Sequence, residues 1–245
     1  MKIAKPGLEN LLLNINGDKI IGGFYYSGIP HAPTFILAHG IPGLEKMTMF
    51  AYEFQKRGWN CLYFHYRGCW GSSGNYNILN HQEDLHEVYN WVKNKNFVDS
   101  NRIGLIGSSL GGYNILRAVN STDQYFSYIA LCPLIDINEC ELSHDEVGSF
   151  ADYLLGVDKV GLYKQWGQLP SVLEFSEQLK QKNILLLTGD RDEIFPPEHY
   201  IKLSKICSNI HWQRHEEADH IFSGQQYWLV EKSIEWLEQF MDGED

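Results

Sequence analysis

Arg102-Ile103-Gly104-Leu105-Ile106-Gly107-Ser108-Ser109-Leu110-Gly111-Gly112-Tyr113-Asn114-Ile115-Leu116-Arg117-Ala118-Val119 is the stretch on which the reading of this chain turns. Its first five residues form an apolar, β-prone run, and the residues after Gly111 have the spacing of a helix. Between them, Gly107 to Gly111 matches G-x-S-x-G. Placed as strand, sharp turn and helix, this pattern is a nucleophile elbow, in which small residues let the chain reverse tightly and leave the serine hydroxyl exposed. The register selects Ser109. With Ser108 as the central serine, Ile106 and Leu110 would stand where the turn needs glycine, and their side chains would crowd it. The pattern also arises by chance in glycine-rich chains, and a serine at a helix start can simply cap it. The flanking sequence has to decide.

Outward from the elbow, β-branched and aromatic segments alternate with stretches of helical period, the pattern of a mostly parallel sheet covered by helices on both faces. Leu11 to Ile15 and Lys19 to Tyr26, around Asn16-Gly17-Asp18, read as an antiparallel hairpin, since Asn-Gly suits a turn needing positive φ. Thr34 to Ala38, Asn60 to His65, Ile103 to Gly107, Tyr128 to Cys132, Ile184 to Thr188 and Ile210 to Arg214 read as further strands. Runs such as Ile184-Leu185-Leu186-Leu187 suit strands buried on both faces. Helices are expected at Lys46 to Lys56, His81 to Asn94, Leu110 to Asn120, Glu198 to Cys207 and Gln225 to Phe240. The connection from Cys132-Pro133 to Asn183 is too long for a plain crossover. We expect a single α/β domain over 1–245 with a helical cap insertion at about 134–172, followed by a scaffold helix near Leu173 to Gln181. A loop packing away from any site is the alternative for the insertion.

The 245 residues and 44% hydrophobic content suffice for one sizeable domain. Acidic residues outnumber basic ones 31 to 20, a formal charge of -11 that repels phosphate backbones and anionic lipid, so nucleic acid is not an expected partner. No apolar run reaches the roughly 20 residues of a membrane span, and Met1-Lys2-Ile3-Ala4-Lys5-Pro6 lacks the apolar core of a signal peptide. The five cysteines, Cys61, Cys69, Cys132, Cys140 and Cys207, show no C-x-x-C spacing and suggest reduced thiols in the cytoplasm. His65, His81 and His86 show no metal-ligand spacing with a third ligand, and neither metal nor cofactor is expected. The acidic tail Asp242-Gly243-Glu244-Asp245 reads as a solvated terminus.

A serine hydroxyl is a weak nucleophile near pH 7 and needs a histidine to accept its proton and a carboxylate to orient that histidine. Downstream, Thr188-Gly189-Asp190-Arg191-Asp192 follows a strand, and Ala218-Asp219-His220-Ile221-Phe222 follows the last one. His39-Gly40-Ile41-Pro42-Gly43 closes an earlier strand, and Tyr66-Arg67-Gly68-Cys69-Trp70-Gly71-Ser72-Ser73-Gly74 forms a glycine-rich loop. These motifs, in the order Ser, Asp, His, resemble the α/β-hydrolase superfamily, in its esterase, lipase and acyl-peptidase branch. The resemblance spans nearly the whole chain. It implies Ser109 as nucleophile, Asp192 as acid, His220 as base, and the backbone N–H groups of Ile41 and Leu110 as oxyanion donors. Asp190 is the rival acid, as a turn cap. His215 ends a strand and His211 lies within one, whereas His220 occupies the loop beyond. The family often has glycine before this histidine; here Asp219 stands there, able to raise the imidazole pKa or simply to face water. His39 is expected to brace the oxyanion loop, and the loop around Arg67 to be scaffold.

The implied activity is acyl transfer to water, with a small-molecule carboxylic ester of small or medium acyl group as substrate. Thioesters, amides and acyl-peptides suit the same machinery. Tyr153, Tyr163 and Trp166 in the insertion are candidate substrate contacts; the alternative is that they simply pack against one another. A non-catalytic receptor for a small apolar ligand on the same scaffold is the reading from another class.

Overall fold

The computed structural model describes residues 5–43, 47–121 and 123–241. The expected helix start at Lys46, the first residues Met1 to Ala4 and the acidic tail Asp242 to Asp245 lie outside them. Eight strands form one sheet: β1 (Gly7–Ile15), β2 (Asp18–Tyr26), β3 (Ala32–Ala38), β4 (Asn60–Phe64), β5 (Val98–Ser108), β6 (Tyr128–Leu131), β7 (Ile184–Gly189) and β8 (Ile210–His215). Their spatial order is β1-β2-β4-β3-β5-β6-β7-β8. β2 is antiparallel to both of its neighbours, and every other pair is parallel. The hairpin closes at Ile15 opposite Asp18, with Asn16 and Gly17 both at positive φ (54° and 97°), the tight turn that Asn-Gly favours.

Alternate residues of the central strands feed two separate cores, one on each face. In β3, Phe35 and Leu37 pack on one side and Ile36 and Ala38 on the other; in β7, Leu185 and Leu187 oppose Ile184 and Leu186. All of these are essentially solvent-free, so nothing polar is needed along the strands and a continuous apolar run results. Helices α1 (Thr48–Lys56) and α8 (Gln226–Met241) cover one face, and α2 (His81–Lys93) and α3 (Leu110–Arg117) the other. Burying each large aliphatic side chain contributes roughly 1.5–3 kcal/mol, and this two-sided burial holds the sheet between its layers.

Between β6 and β7 the chain forms α4 (His144–Ser149), a 3-10 turn at Phe150–Tyr153, and α5 (Lys159–Trp166). Ser143 and Glu146 form a reciprocal capping box at the start of α4, and Asp158 caps α5 by accepting from the Gly161 N–H. This segment is tied to the body: the Leu155 N–H donates to the Gly68 carbonyl, the Tyr76 N–H to the Leu155 carbonyl, and the Tyr113 hydroxyl to the Pro170 carbonyl. The expected helix near Leu173 to Gln181 is a 3-10 turn, Val172–Phe175, running into the short α6 (Ser176–Leu179), because a second capping box at Ser171 and Glu174 tightens its first turn. The α7 helix (Glu198–Ile206) joins β7 to β8.

The connections place the site. From β3 the chain moves to β4 on one side, and from β5 to β6 on the other, so the order reverses between the adjacent strands β3 and β5. A crevice opens at the carboxyl ends of strands where order reverses. His39-Gly40-Ile41 leaves β3 there, and Ser109 leaves β5.

The turn after β5 requires glycine for reasons of space. A Cβ on Gly111 would lie 1.9 Å from the Ala38 carbonyl oxygen, and one on Gly107 2.4 Å from the Gly111 carbonyl oxygen, both backbone atoms that cannot step aside. Gly167, by contrast, ends α5 at φ -66° with its nearest neighbours at 3.7 Å. In urea unfolding, Gly111→Ala is expected to lower stability by roughly 3 kcal/mol, from forced separation of β3 and α3. Gly167→Ala is expected to be neutral or stabilising by up to about 1 kcal/mol, by restricting the unfolded chain. Equal midpoints for Gly111→Ala and the parent would contradict this packing.

Candidate active site

Ser109 sits between β5 and α3 at φ 54°, ψ -119°, a conformation costly for a residue with a side chain. The strain persists because both sides of the turn are anchored. The Ser109 N–H donates to the Leu131 carbonyl on β6 (2.9 Å), and the Ser109 carbonyl accepts from the Tyr113 N–H in α3 (3.0 Å). The hydroxyl is thus held at the tip of the turn rather than folded back to cap the helix; its side chain makes no capping bond. Directly above lies Gly40, where a Cβ would come within 3.0 Å of the Ser109 Cβ.

The loop from β3 is braced from below by His39. Its Nδ1–H donates to the Gly40 carbonyl (2.7 Å), while Nε2 accepts from the Tyr66 N–H at 3.4 Å. This pairing needs a neutral ring. Burial agrees, pushing the His39 imidazole down to about 4 against a small opposing pull from the Gly40 carbonyl. From the other side, Trp70 Nε1–H donates to the Pro42 carbonyl (2.6 Å). The glycine-rich loop that carries Trp70 is itself fastened. Buried Arg67 pairs with Asp84 (2.5 Å) and Glu83 on α2, and Ser72 Oγ donates to the His65 carbonyl and accepts from the Ile21 N–H.

Asp192 is buried beyond the end of β7. One carboxylate oxygen accepts from the backbone N–H groups of Ile194 (2.9 Å) and Phe195 (2.8 Å); the other accepts from His220 Nδ1–H (2.8 Å). Phe195 places its ring edge-on to His220, with centroids 5.2 Å apart, limiting the plane the imidazole can adopt. Asp190 instead pairs with Arg214 at the surface (2.7 Å), and His215 accepts from the Glu217 N–H. Asp219 is spent on the loop: its carboxylate accepts from the N–H groups of Ile221 (3.2 Å) and Ser223 (2.8 Å). Slight burial works against its charge, but the Ser223 and Ile221 bonds prevail and hold it below the usual carboxylate range. Asp219 therefore shapes the turn that presents His220.

Cys132 Sγ, the Asp192 carboxylate and a His220 ring nitrogen lie within 4.8 Å of one another, the one such grouping among the described residues with metal-ligand donors. Burial first, then the Asp192 charge, push the Cys132 thiol well above its ordinary value. Within this grouping Asp192 and His220 are hydrogen-bonded to each other.

Ser109 and His220 line one cavity of about 550 Å³, with Gly40, Ile41, Pro42 and Gly43 as one wall. Leu142, Phe150 and Trp166 from the segment between β6 and β7 line the cavity too, together with Ile194, Phe195, Ile221 and Gln226. Of the expected substrate contacts, Trp166 lines the cavity. Tyr163 does not: its ring rests on that of His144, centroids 4.5 Å apart. Tyr153 stands outside the lining, exposed, beside Trp70. Sequence reasoning missed Leu142, Phe150, Ile194, Phe195, Ile221 and Gln226, which carry no motif; only adjacency of Ile194 and Phe195 to Asp192, and of Ile221 to His220, hinted at them. Among the described residues, no helix is long and apolar enough to cross a membrane.

His39 and His199 share one electrostatic consequence. His199 accepts from the Ile135 N–H through Nε2 (2.7 Å), and burial pushes it, too, down to about 4. Unfolding frees both rings to titrate near the ordinary value of 6.5. Between pH 6.5 and 4 the unfolded state therefore binds more protons, so their stabilisation is complete above about 6.5 and falls as pH drops toward 4, by up to roughly 3 kcal/mol each. Urea midpoints measured from pH 7 to 4 are expected to decline over this window. His39→Gln should flatten the decline by about one proton; an unchanged slope would contradict a neutral, buried His39.

The prolyl oligopeptidase family (peptidase S9) matches this chain over residues 48–244. The "uncharacterized 31.7 kDa protein in traX-finO intergenic region" of Escherichia coli is 36% identical to it, with 76% of this chain and 82% of that protein covered. Among solved structures, the α/β hydrolase GrgF from Penicillium superposes with a TM-score of 0.78 at 17% identity, covering 95% of this chain and 98% of that one. The Pyrococcus furiosus esterase Pf2001 does so with a TM-score of 0.73 at 20% identity, covering 96% and 93%. With its reversed-order sheet, its strained serine turn and this match over most of its length, the chain is an α/β hydrolase and belongs to the prolyl oligopeptidase family.

Proposed function

We propose that this protein is a serine hydrolase that cleaves a carboxylic ester of small or medium acyl group through an acyl-enzyme. The observation that carries the reading is the shared cavity: a strained, exposed-tip serine and a histidine already bonded to a buried carboxylate face one largely apolar space. Similarity to an esterase of the same fold supports the ester as substrate. In this reading the insertion at about 134–172 is a cap within a single domain, contributing Leu142, Phe150 and Trp166 to the substrate cavity.

The chemistry follows from the positions. Ser109 Oγ attacks the ester carbonyl as His220 Nε2 takes its proton, and Asp192, bonded at Nδ1, stabilises the imidazolium that forms. The tetrahedral oxyanion is received by the N–H groups of Ile41 and Leu110, each worth about 3 kcal/mol in the transition state. Collapse expels the alkoxide, which takes the proton from His220. A water then enters, gives its proton to His220, and attacks the acyl-Ser109; the second collapse returns the proton to Ser109 and frees the acid. Neutral His39 keeps the Ile41 loop in place without placing a cation beside the oxyanion. The five cysteines are all unpaired, in keeping with a reducing, cytoplasmic setting.

Peptide or acyl-peptide cleavage is a second reading, favoured by the family match. Thioesters and simple amides would be attacked by the same groups.

Short p-nitrophenyl esters and a fluorophosphonate probe test the proposal. The parent should turn over the acetate or butyrate ester and be labelled at Ser109. Ser109→Ala should abolish labelling and lower kcat by at least about 10³-fold, and Asp192→Asn should lower it by on the order of 10²–10⁴-fold by disturbing the His220 tautomer. Faster turnover of peptide p-nitroanilides than of any ester would select the second reading. No turnover by the parent, with small-ligand binding that survives Ser109→Ala, would replace both with a receptor.

A further inference from the structure

Trp70 is the residue that the folding physics of its loop explains least. It sits at φ 42°, a left-handed conformation in which a bulky side chain is disfavoured, and its indole is 39% exposed. Two penalties thus fall on one residue, and local strain of this kind concentrates at working sites. The ring is nevertheless held in one orientation. Nε1–H is bonded to the Pro42 carbonyl, and the indole packs so closely on Gly43 that a Cβ there would lie 3.1 Å from Nε1. Pro42 and Gly43 are walls of the cavity that holds Ser109.

The second half of the feature comes from the segment between β6 and β7. Tyr153 is 55% exposed, and its ring lies alongside that of Trp70 with centroids 6.4 Å apart and planes inclined by only 30°. It closes the 3-10 turn that begins with Phe150, a cavity-lining residue. In a 3-10 helix residues three apart eclipse, so Tyr153 continues the face on which Phe150 meets the cavity. The next residue but one, Leu155, is pinned by its backbone to Gly68 and Tyr76, fixing the turn against the Trp70 loop. The two near-parallel rings are thus each exposed and each one step from residues that line the cavity, Trp70 through Pro42 and Gly43 and Tyr153 through Phe150.

We propose that Trp70 and Tyr153 form a subsite for an aromatic ring in the leaving group of the ester substrate. The acyl carbon sits at Ser109 inside the cavity, and the alkoxide part extends over the Pro42 wall onto the two rings. Stacking of a planar π-face removes apolar area of both side chains from water and meets their quadrupoles in an offset arrangement. The orientation of Trp70 is paid for in the folded protein, so the substrate meets a preorganised surface. The assignment rests on the ester-hydrolase reading of the cavity.

The test compares 2-naphthylmethyl acetate, cyclohexylmethyl acetate and ethyl acetate, whose leaving alkoxides are of like basicity, on the parent and on Trp70→Ala, Trp70→Phe and Tyr153→Ala. The parent is expected to favour the naphthylmethyl ester through KM. Tyr153→Ala and Trp70→Ala should each lower the naphthylmethyl-to-cyclohexylmethyl ratio of kcat/KM by about 5- to 10-fold, the size of one aromatic contact. Trp70→Phe, which loses the bond to Pro42 but keeps a ring, should retain most of that ratio. A loss spread equally over all three esters would make Trp70 a brace of the Pro42 loop and overturn the subsite, as would an unchanged ratio in Tyr153→Ala. Should the parent hydrolyse no ester, the reading of the cavity fails, and the ring pair is judged by calorimetric binding of 2-naphthylmethanol. Weaker binding to Tyr153→Ala than to the parent would uphold it, and equal binding would overturn it.

Discussion

The backbone of α3 approaches the end of β3 so closely that no side chain fits between them. Gly111 lies against the Ala38 carbonyl, and Gly107 against Gly111 itself. Everything at the site depends on that contact. It forces the chain to reverse within a few residues, which drives Ser109 into positive φ, and it brings Gly40 onto the serine Cβ. The strain of order 1–3 kcal/mol is carried by the packed faces of the sheet, whose apolar burial is many times larger. A looser junction would relieve the serine and would also separate it from the loop that follows β3.

The polar groups around this junction divide into those committed to neighbouring elements and those that line the cavity. His39, Arg67, Ser72 and Asp219 have their hydrogen-bonding capacity committed to backbone or to partners on neighbouring elements, and each stiffens a loop. Asp192 is committed on one oxygen to two N–H groups and on the other to His220. That leaves the far side of the His220 ring and the Ser109 hydroxyl directed to the cavity they share. The same low-dielectric setting keeps His39 neutral, so the loop is braced without a buried charge.

Much of this was legible in the chain because it is local or periodic. The Asn16-Gly17 turn, the two-sided strands such as Ile184 to Leu187, and the glycines flanking Ser109 each express a constraint acting over a few residues, and the structure has them where the spacing predicts. Boundaries moved where capping intervened, as at Ser171 and Glu174, whose reciprocal bonds shorten the helix that hydrophobic spacing extends to Gln181. The cavity walls were a different matter. Leu142, Phe150 and Gln226 are ordinary residues in sequence, and nothing near them shows that they converge. Tyr163 and Trp166 lie one turn apart on one helix, and only the packing of neighbouring segments puts Trp166 in the lining and Tyr163 on His144. Trp70 was read with its loop as scaffold, because an exposed ring at positive φ has no signature along the chain.

Sequence alone determined the class of fold, the strand order in time, and the types and succession of the residues able to do chemistry, since glycine at a tight turn and apolar alternation are properties of short segments. Only the tertiary structure decided which of them meet. Asp192 rather than Asp190 reaches His220, because β7 ends with the former turned under the loop and the latter turned out to Arg214. The cavity exists because Phe150 and Trp166, from the segment between β6 and β7, meet residues that follow β3 and β5, a juxtaposition of distant segments that side-chain packing sets and local sequence does not encode.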